Sequence, residues 1–437
     1  MSQLAKKIDD RTALIGVKAL GYVGLPLSRA FCDAGFKVLG FDIDMEKVDA
    51  LNQGRNYLKH LGTNFVADMV NDGSFSATAD SDRLVEPDAI LVCVPTPLDT
   101  HLQPDLGFMQ QAAKDIAKTL RVDQLVVLES TTYPGSTRQI MLPPLEARSL
   151  TCGKDFYLAY SPEREDPGRN DCSTRQIPKL VGGIDPESGR LATHLYRCAI
   201  DQVIETSSAE VAESAKLLEN IYRAVNIAMV NEMKVVLTQL GIDTNEVVDA
   251  AATKPFGFSP FYPGPGLGGH CIPIDPYYLT WKAREVGMPT RFIELAGEVN
   301  RSMPQYVVDR AVLALNQRGK PIRSAKVLVL GLAYKPDVDD IRESPSFELI
   351  KKLSALDANV AYHDPHVPAT HRMRHYNLQM TSIELSPATL KEYDCVVIAT
   401  HHSAYDWQMI ADNCQLIIDT RGVMRDVTGT HDHIVMA

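Results

Sequence analysis

Apolar residues gather in short runs through the first half of the chain, at Thr12–Val17, Lys37–Asp42, Ala89–Val94, Leu125–Ser130 and Phe156–Tyr160. Between these runs the apolar positions recur at helical spacing, as in Leu25–Ala34 and Met45–Gln53. Strands alternating with helices predict an α/β unit built on a parallel sheet. The period then changes. From Ser207 to Leu240 no glycine or proline interrupts the chain, and Val211, Leu218, Ile221, Val225, Met229, Val236 and Leu240 recur at helical spacing. Ser207 with Glu210 fits a capping box at the start of this helix, and Gly241 fits a stop at its end. So long a helix serves either as a spine between domains and an oligomer interface, or as an element packed wholly within one subunit. A further helical stretch near Arg291–Asn316 leads into strand patterns at Lys326–Leu330, Asn359–Tyr362, Cys395–Ala399 and Leu416–Asp419. The pattern thus divides the chain into an α/β unit (1–206), a helical linker (207–318) and a shorter α/β unit (319–437).

Composition adds little to this architecture but narrows the function. The 437 residues are 45% apolar and 23% charged, as in ordinary globular proteins with room for two or three domains. Basic residues number 44 and acidic ones 55, so the net charge of −11 opposes nonspecific nucleic-acid binding. It leaves room for a local anion site at a helix N-terminus or a Lys/Arg cluster. The eight cysteines (32, 93, 152, 172, 198, 271, 395, 414) form no Cys-x-x-Cys pair, which points to reduced thiols rather than disulfides or zinc. The polar N-terminus shows no signal-peptide pattern, and no apolar run reaches about 18 residues. The expectation is a cytoplasmic protein with no membrane span and no metal. His363, His366, His371 and His375 lie close in sequence, but their spacing fits no compact metal-ligand pattern.

Four segments carry candidate chemistry. The first strand runs through Gly16–Gly24 into a helix, where glycines permit a tight turn and a pyrophosphate can meet the helix N-terminus. The next strand ends at Asp42, placed to bind an adenosine ribose and to disfavour a 2′-phosphate, hence NAD over NADP. A strict G-x-G-x-x-G would need glycine at 19, where this chain has Ala19 preceded by Lys18. On the long helix Lys216 and Asn220 are four apart and share a face, although the helix alone favours a solvated Lys and a surface Asn. Two polar loops follow strands, Glu129–Gly135 and Ser161–Gly168, at the edge where open α/β sheets bind ligands. There Glu163 is an acid/base candidate beside ordinary turn chemistry. The segment Gly264–Asp275 holds Cys271 among four glycines and two prolines, a stiff close-approach loop suited to a nucleophile or to a buried structural thiol. In the loop Gly331–Pro345, Lys335 and Arg342 suit a diphosphate, or else pair with neighbouring acids.

These segments together resemble the UDP-glucose/GDP-mannose dehydrogenase family over essentially the whole chain. The matching motifs are Gly21-Tyr22-Val23-Gly24-Leu25-Pro26, Val94-Pro95-Thr96-Pro97, Glu129-Ser130-Thr131, Lys216-Leu217-Leu218-Glu219-Asn220, Gly268-Gly269-His270-Cys271 with Asp275, and Asp339-Asp340-Ile341-Arg342-Glu343-Ser344-Pro345. Ser161-Pro162-Glu163-Arg164 followed by Pro167-Gly168 is similar to the branch acting on UDP-N-acetylhexosamines, with the UDP-N-acetyl-D-glucosamine 6-dehydrogenases nearest. The resemblance implies two Rossmann-like domains joined by a long central helix, the first binding NAD (1–206), the middle dimerising (207–318) and the last binding the UDP-sugar (319–437). It implies a four-electron oxidation at C6 of UDP-N-acetyl-D-glucosamine, through a thiohemiacetal and thioester on Cys271, in bacterial surface-polysaccharide synthesis. Other UDP-N-acetylhexosamines, UDP-glucose, or a catalytically weak UDP-sugar-binding role are the alternatives. By the same resemblance Lys216 and Asn220 stabilise oxyanions, Glu163 and Thr131 position or activate water, and Asp275 orients the cysteine's neighbourhood. Gly21, Tyr22, Val23, Gly24, Asp42, Lys47, Thr96, Thr132, Glu165 and Arg342 would hold the cofactor. Arg164, Tyr262, Gly268, Lys335 and Arg421, with Lys216 and Asn220, would hold the substrate. A homodimer or higher homo-oligomer is implied, with no nucleic-acid or membrane partner.

Overall fold

The computed structural model describes residues 2–437 apart from 59–60, 63, 100, 148, 165–173, 270–271, 374–375 and 430–431. The chain forms two compact units, one from Met1–Glu219 with Tyr277–Pro289 and the other from Asn220–Pro276 with Thr290–Ala437.

In the first unit β1 (Leu14–Lys18), β2 (Lys37–Phe41), β3 (Phe75–Thr78), β4 (Ala89–Val92), β5 (Leu125–Leu128), β6 (Tyr157–Tyr160), β7 (Lys179–Gly183) and β8 (Val203–Glu205) form one sheet. Its order is β3-β2-β1-β4-β5-β6-β7-β8, parallel throughout except between β6 and β7. The order of its first six strands is the doubly wound Rossmann order. Both faces are covered: Ala89 and Leu91 enter one apolar cluster, while Ile90 and Val92 enter the other. The second unit carries β9 (Lys326–Leu330), β10 (Asn359–His363), β11 (Cys395–Ile398), β12 (Ile417–Asp419) and β13 (Ile434–Met436), all parallel, in the order β10-β9-β11-β12-β13. This is the other common doubly wound order, and here too Val327 and Val329 face one cluster and Leu328 and Leu330 the opposite one.

The strands expected from apolar runs are present, with ends shifted by at most two residues. Four more carry no such signal. β3 is a four-residue Phe-Ser-Ala-Thr alternation rather than an apolar run, β7 opens on a lysine and closes on Gly-Gly, and β8 and β13 have three residues each.

The long helix spans Ala209–Gln239, 31 residues. Its cap is Ser208 rather than Ser207, because the first intrahelical bond starts at the Ser208 carbonyl and its Oγ accepts from the Val211 amide at 3.4 Å. Glu210 reaches away to Arg138 at 2.8 Å instead of completing a capping box. The stop is as expected: Gly241 takes φ +73° and the Ile242 amide donates to the Leu237 carbonyl at 3.0 Å.

This helix buries its polar face. Glu213, Lys216, Asn220, Asn231 and Lys234 are buried, with Ala212, Ala224 and Ala228 among them. Leu218 and Leu240 are 68% and 66% exposed, and Val211, Tyr222, Met229, Met233 and Val236 are exposed beside them. The reading of Lys216 and Asn220 as solvated is therefore overturned, since both are buried while Leu218, Tyr222 and Met229 occupy the solvent face.

At the end of β1 the backbone turns through Ala19, whose φ of +75° is a left-handed conformation that glycine adopts without penalty. For an L-residue with Cβ that conformation costs about 1–2 kcal/mol. Ala19→Gly should thus stabilise the fold by about 1 kcal/mol in thermal or chemical denaturation, once the greater unfolded-state freedom of glycine is allowed for. A lower melting temperature for the variant would contradict the strain.

Candidate active site

The glycine turn is built for close approach. A Cβ on Gly24 would lie 2.0 Å from the Ala19 carbonyl oxygen, so only glycine fits there. A Cβ on Gly21 would meet nothing within 4 Å, which leaves its backbone open to a ligand. The helix Gly24–Asp33 that follows Tyr22 and Val23 has no side-chain cap on its first amides. Asp42 follows β2 and accepts from the Leu20 amide and the Asp44 amide, both at 3.0 Å, so its carboxylate is fixed beside the turn. Lys47 stands 3.8 Å from Asp44 and 5.8 Å from the centre of the Tyr57 ring. Lys18 is buried against Asp115 at 3.1 Å, which neutralises the charge at the turn's mouth. Thr96 and Thr132 are both buried, and among the described residues the Thr132 Oγ1 finds no hydrogen-bond partner. A buried hydroxyl without a partner is costly. One that a ligand would satisfy, in the same unit as an open glycine backbone and a fixed carboxylate, fits a dinucleotide.

The two polar loops of the same unit hold a buried charge cluster. Glu129, at the end of β5, is fully buried and accepts from Lys179 Nζ at 2.7 Å and from the Tyr196 hydroxyl. Lys179 also donates to the Pro162 carbonyl at 3.3 Å and lies 3.6 Å from Glu163. Burial pushes Glu129 up to about 7, with Lys179 pulling it back and Glu163 pushing it further up. Burial would depress Lys179, but the two carboxylates outweigh it and raise its pKa. Glu163 Oε1 accepts the Arg164 amide at 2.7 Å. The Arg164 guanidinium holds Glu219 through two bonds, at 2.5 and 3.2 Å, and the Pro178 carbonyl at 2.7 Å. The loop bearing Thr131 and Thr132 is anchored by Glu213, which accepts from Thr137 N and Oγ1 at 2.9 and 2.7 Å and from Ser136 Oγ at 3.0 Å. Sequence reasoning missed Lys179. Its one signal is a lysine leading an apolar run, Leu180 and Val181, that was not read as a strand.

In the second unit Asn220 Nδ2 donates to Asp275 Oδ2 at 2.5 Å, and both side chains are buried. Asp275 opens the helix Asp275–Glu285, four residues after Cys271 in the chain. Asn231 Oδ1 accepts the Gly264 amide at 3.0 Å, and the Gly269 amide donates to the Arg342 carbonyl at 3.0 Å. The Gly264–Gly269 stretch is so tightly held that a Cβ on Gly268 would lie 2.7 Å from Tyr334 Cβ, and one on Gly264 would lie 2.4 Å from an Arg421 guanidinium nitrogen. Arg421 Nε donates to the Ala399 carbonyl at 2.7 Å, and Lys335 lies 5.8 Å from the Tyr334 ring centre. Tyr262 donates to Asp249 at 2.7 Å, and Arg342 is clamped on Asp340 by three bonds of 2.6–3.0 Å. Cys271, His270, Glu165, Pro167, Gly168 and His375 lie outside the described residues.

Among the described residues, His363, His366 and His371 do not gather as a ligand set. His366 instead meets His402 and Asp337, with candidate ligand atoms within 4.8 Å of one another. Both His402 ring nitrogens are engaged, Nδ1 by the Asp337 amide and Nε2 by Asp364 Oδ2, each at 3.0 Å, so an ion would have to displace a buried bond. The six described cysteines are free thiols, and among the described residues no helix is long and apolar enough to cross a membrane.

Comparison with known proteins places this geometry. The chain matches the NAD binding, central and UDP binding domains of the UDP-glucose/GDP-mannose dehydrogenase family over residues 12–200, 210–302 and 328–426. It is 36% identical over 423 residues to a UDP-N-acetyl-D-glucosamine 6-dehydrogenase of Pseudomonas aeruginosa, covering 96% of each chain. Among solved structures it is similar to the UDP-D-ManNAc dehydrogenase of Pyrococcus horikoshii, with a TM-score of 0.85, 30% identity and 97% and 98% of the two chains covered. The NDP-N-acetyl-D-galactosaminuronic acid dehydrogenase of Methanosarcina mazei Go1 superposes with a TM-score of 0.79 at 31% identity, covering 100% and 97%. The glycine turn therefore lies in an NAD binding domain, and the chain, an oxidoreductase of nucleotide sugars, belongs to the UDP-glucose/GDP-mannose dehydrogenase family.

Proposed function

We propose that this protein oxidises the C6 alcohol of UDP-N-acetyl-D-glucosamine to the carboxylate, a four-electron reaction using two NAD in turn. The observation that carries this reading is the buried Asn220–Asp275 pair, with Lys216 buried on the same helix face and Cys271 four residues from Asp275. Bound NAD would supply the hydride acceptor in each oxidation, seated through Gly21, Tyr22, Val23, Gly24, Asp42, Lys47, Thr96, Thr132, Glu165 and Arg342. Cys271 Sγ would add to the C6 aldehyde carbon, and the carbonyl oxygen would take a proton to give a thiohemiacetal. Lys216 and Asn220 would donate to the developing oxyanion, as their burial makes such donors strong. The second oxidation would leave a thioester. Glu163 would then take a proton from a water held by Thr131, the water oxygen would bond to the acyl carbon, and the C–S bond would break to release the thiolate. Arg164, Tyr262, Gly268, Lys335 and Arg421 would hold the UDP-sugar. A second reading, the same reaction on another UDP-N-acetylhexosamine, is supported by relatives named for N-acetylmannosamine and N-acetylgalactosaminuronic acid at 32% and 33% identity.

The exposed apolar stripe of the long helix supports a homodimer. Val211, Leu218, Tyr222, Met229, Met233, Val236 and Leu240 are all exposed, at spacings of three, four or seven residues, in an otherwise solvent-facing row. Exposed apolar stripes of this kind mark interaction surfaces.

Three outcomes test this reading. Cys271→Ser should fold and bind NAD and UDP-sugar yet release no uronic acid, because an alcohol is a far weaker nucleophile and leaving group than a thiolate. Mass spectrometry of the products, with NADH counted per sugar consumed, measures it, and uronic acid made at wild-type rate would make Cys271 structural. In a panel of UDP-sugars, kcat/KM should be higher for UDP-N-acetyl-D-glucosamine than for UDP-glucose, and the ranking among the acetylated sugars decides between the two readings. Light scattering should give twice the 48.2 kDa chain mass for the wild type and a monomer for Val236→Glu.

A further inference from the structure

Glu163 does not stand alone. Both of its oxygens are constrained within the first unit, Oε1 by the Arg164 amide at 2.7 Å and Oε2 by Lys179 Nζ at 3.6 Å. Lys179 has no freedom to follow it. The ammonium is buried, donates to Glu129 Oε2 at 2.7 Å and to the Pro162 carbonyl at 3.3 Å, and sits 5.3 Å from the centre of the Tyr196 ring. Glu129 is held in turn by the Tyr196 hydroxyl. One cation thus serves two carboxylates, one deep and one 14% exposed at the loop. A buried lysine at the head of a strand is expensive to desolvate. Glu129 alone would account for one buried cation, but the second carboxylate, Glu163, draws on the same ammonium at the loop.

We propose that Lys179, fixed in place by Glu129, is the positioning residue that keeps the Glu163 carboxylate ionised and aimed. The proposal rests on the reading that Glu163 takes the proton from the hydrolytic water. Glu129, Lys179, Tyr196 and Cys93 interact within this cluster, the Cys93 thiol itself pushed up by burial and by the carboxylates, and Arg164, paired with Glu219, lies on the same loop as Glu163. Removing the cation leaves Glu163 facing another carboxylate, which favours its neutral form. Removing the Glu129 charge does the reverse, because Lys179 then serves Glu163 alone. The two variants must therefore move the acid limb of thioester hydrolysis in opposite directions.

The experiment uses the full chain with NAD and UDP-N-acetyl-D-glucosamine, and follows the acyl-enzyme mass after rapid quenching alongside the pH profile of kcat. Lys179→Met should accumulate acyl-enzyme, lose about tenfold or more in kcat and move the acid limb up by roughly one pH unit. KM for the UDP-sugar should stay within about threefold, and Lys179→Arg should restore most of the rate. Glu129→Gln should move the limb down, and it carries the test by itself if Lys179→Met does not fold. Glu163→Gln is run in parallel. If Glu163→Gln hydrolyses the acyl-enzyme at the wild-type rate, the reading of Glu163 fails and the positioning role fails with it. If Glu163→Gln is slow while Glu129→Gln keeps the wild-type acid limb or moves it up, the positioning role alone is overturned.

Discussion

A long helix that turns Glu213, Lys216, Asn220, Asn231 and Lys234 inward and leaves a row of large apolar side chains outward is the constraint on which the rest of this structure depends. Each buried donor or acceptor left unpaired would cost about 1–3 kcal/mol, and a buried charge more. The Ala209–Gln239 helix meets this by binding loops. Glu213 gathers Ser136 and Thr137, Asn220 takes Asp275, Asn231 takes Gly264 and Asn300, and Lys234 takes the Thr420 and Ala437 carbonyls. Ala212, Ala224 and Ala228 on the same face let neighbouring backbone come close. Within the first unit the helix therefore fixes the segment that carries Thr131, within the second those that carry Asp275 and the glycine-rich stretch, and the energy that holds each is that of satisfied buried polar groups.

The glycine turn shows how magnitude decides which positions are free to vary. At position 24 a Cβ would overlap the Ala19 carbonyl at 2.0 Å, a collision of backbone that no relaxation of a side chain relieves. At position 19 the backbone takes φ +75° but no such collision is met, so alanine is tolerated at the cost of a left-handed conformation. Lys18 brings a buried charge to the same turn and is answered by Asp115. The departure from the usual glycine pattern thus costs a little stability while the turn itself is retained.

Electrostatics are concentrated where the first sheet ends. Two carboxylates share one buried ammonium there, and the deeper carboxylate, Glu129, is pushed up to about 7 by its burial. Lys234 shows the same desolvation acting on a cation, whose pKa is pulled down to about 7 with carbonyls around it. The contrast with Lys179, raised by two carboxylates, shows that partner charge rather than depth alone decides which way a buried lysine moves.

Much of this was legible in the sequence, for identifiable reasons. A strand buried on both faces must be a run of apolar residues, so the central strands of both sheets declared themselves, and a helix without breakers ended at the one glycine able to stop it. The glycine turn and the Gly264–Gly269 stretch were legible because close approach and positive φ demand particular residues. Period alone could not say which face of the long helix is buried. Its apolar stripe recurs at the spacing of a core face, and only the packing of alanines and loops against the other side decides that Lys216 and Asn220 go inward. Nor could it find β7, whose leading Lys179 reads as a surface residue until Glu129, fifty residues away in the chain, is folded beside it. The sequence by itself determined what each segment is locally, since backbone conformation and apolar period are properties of neighbours in the chain. The pairing of buried charges was decided by tertiary structure, because the energy that permits a charge to be buried comes from partners distant in sequence.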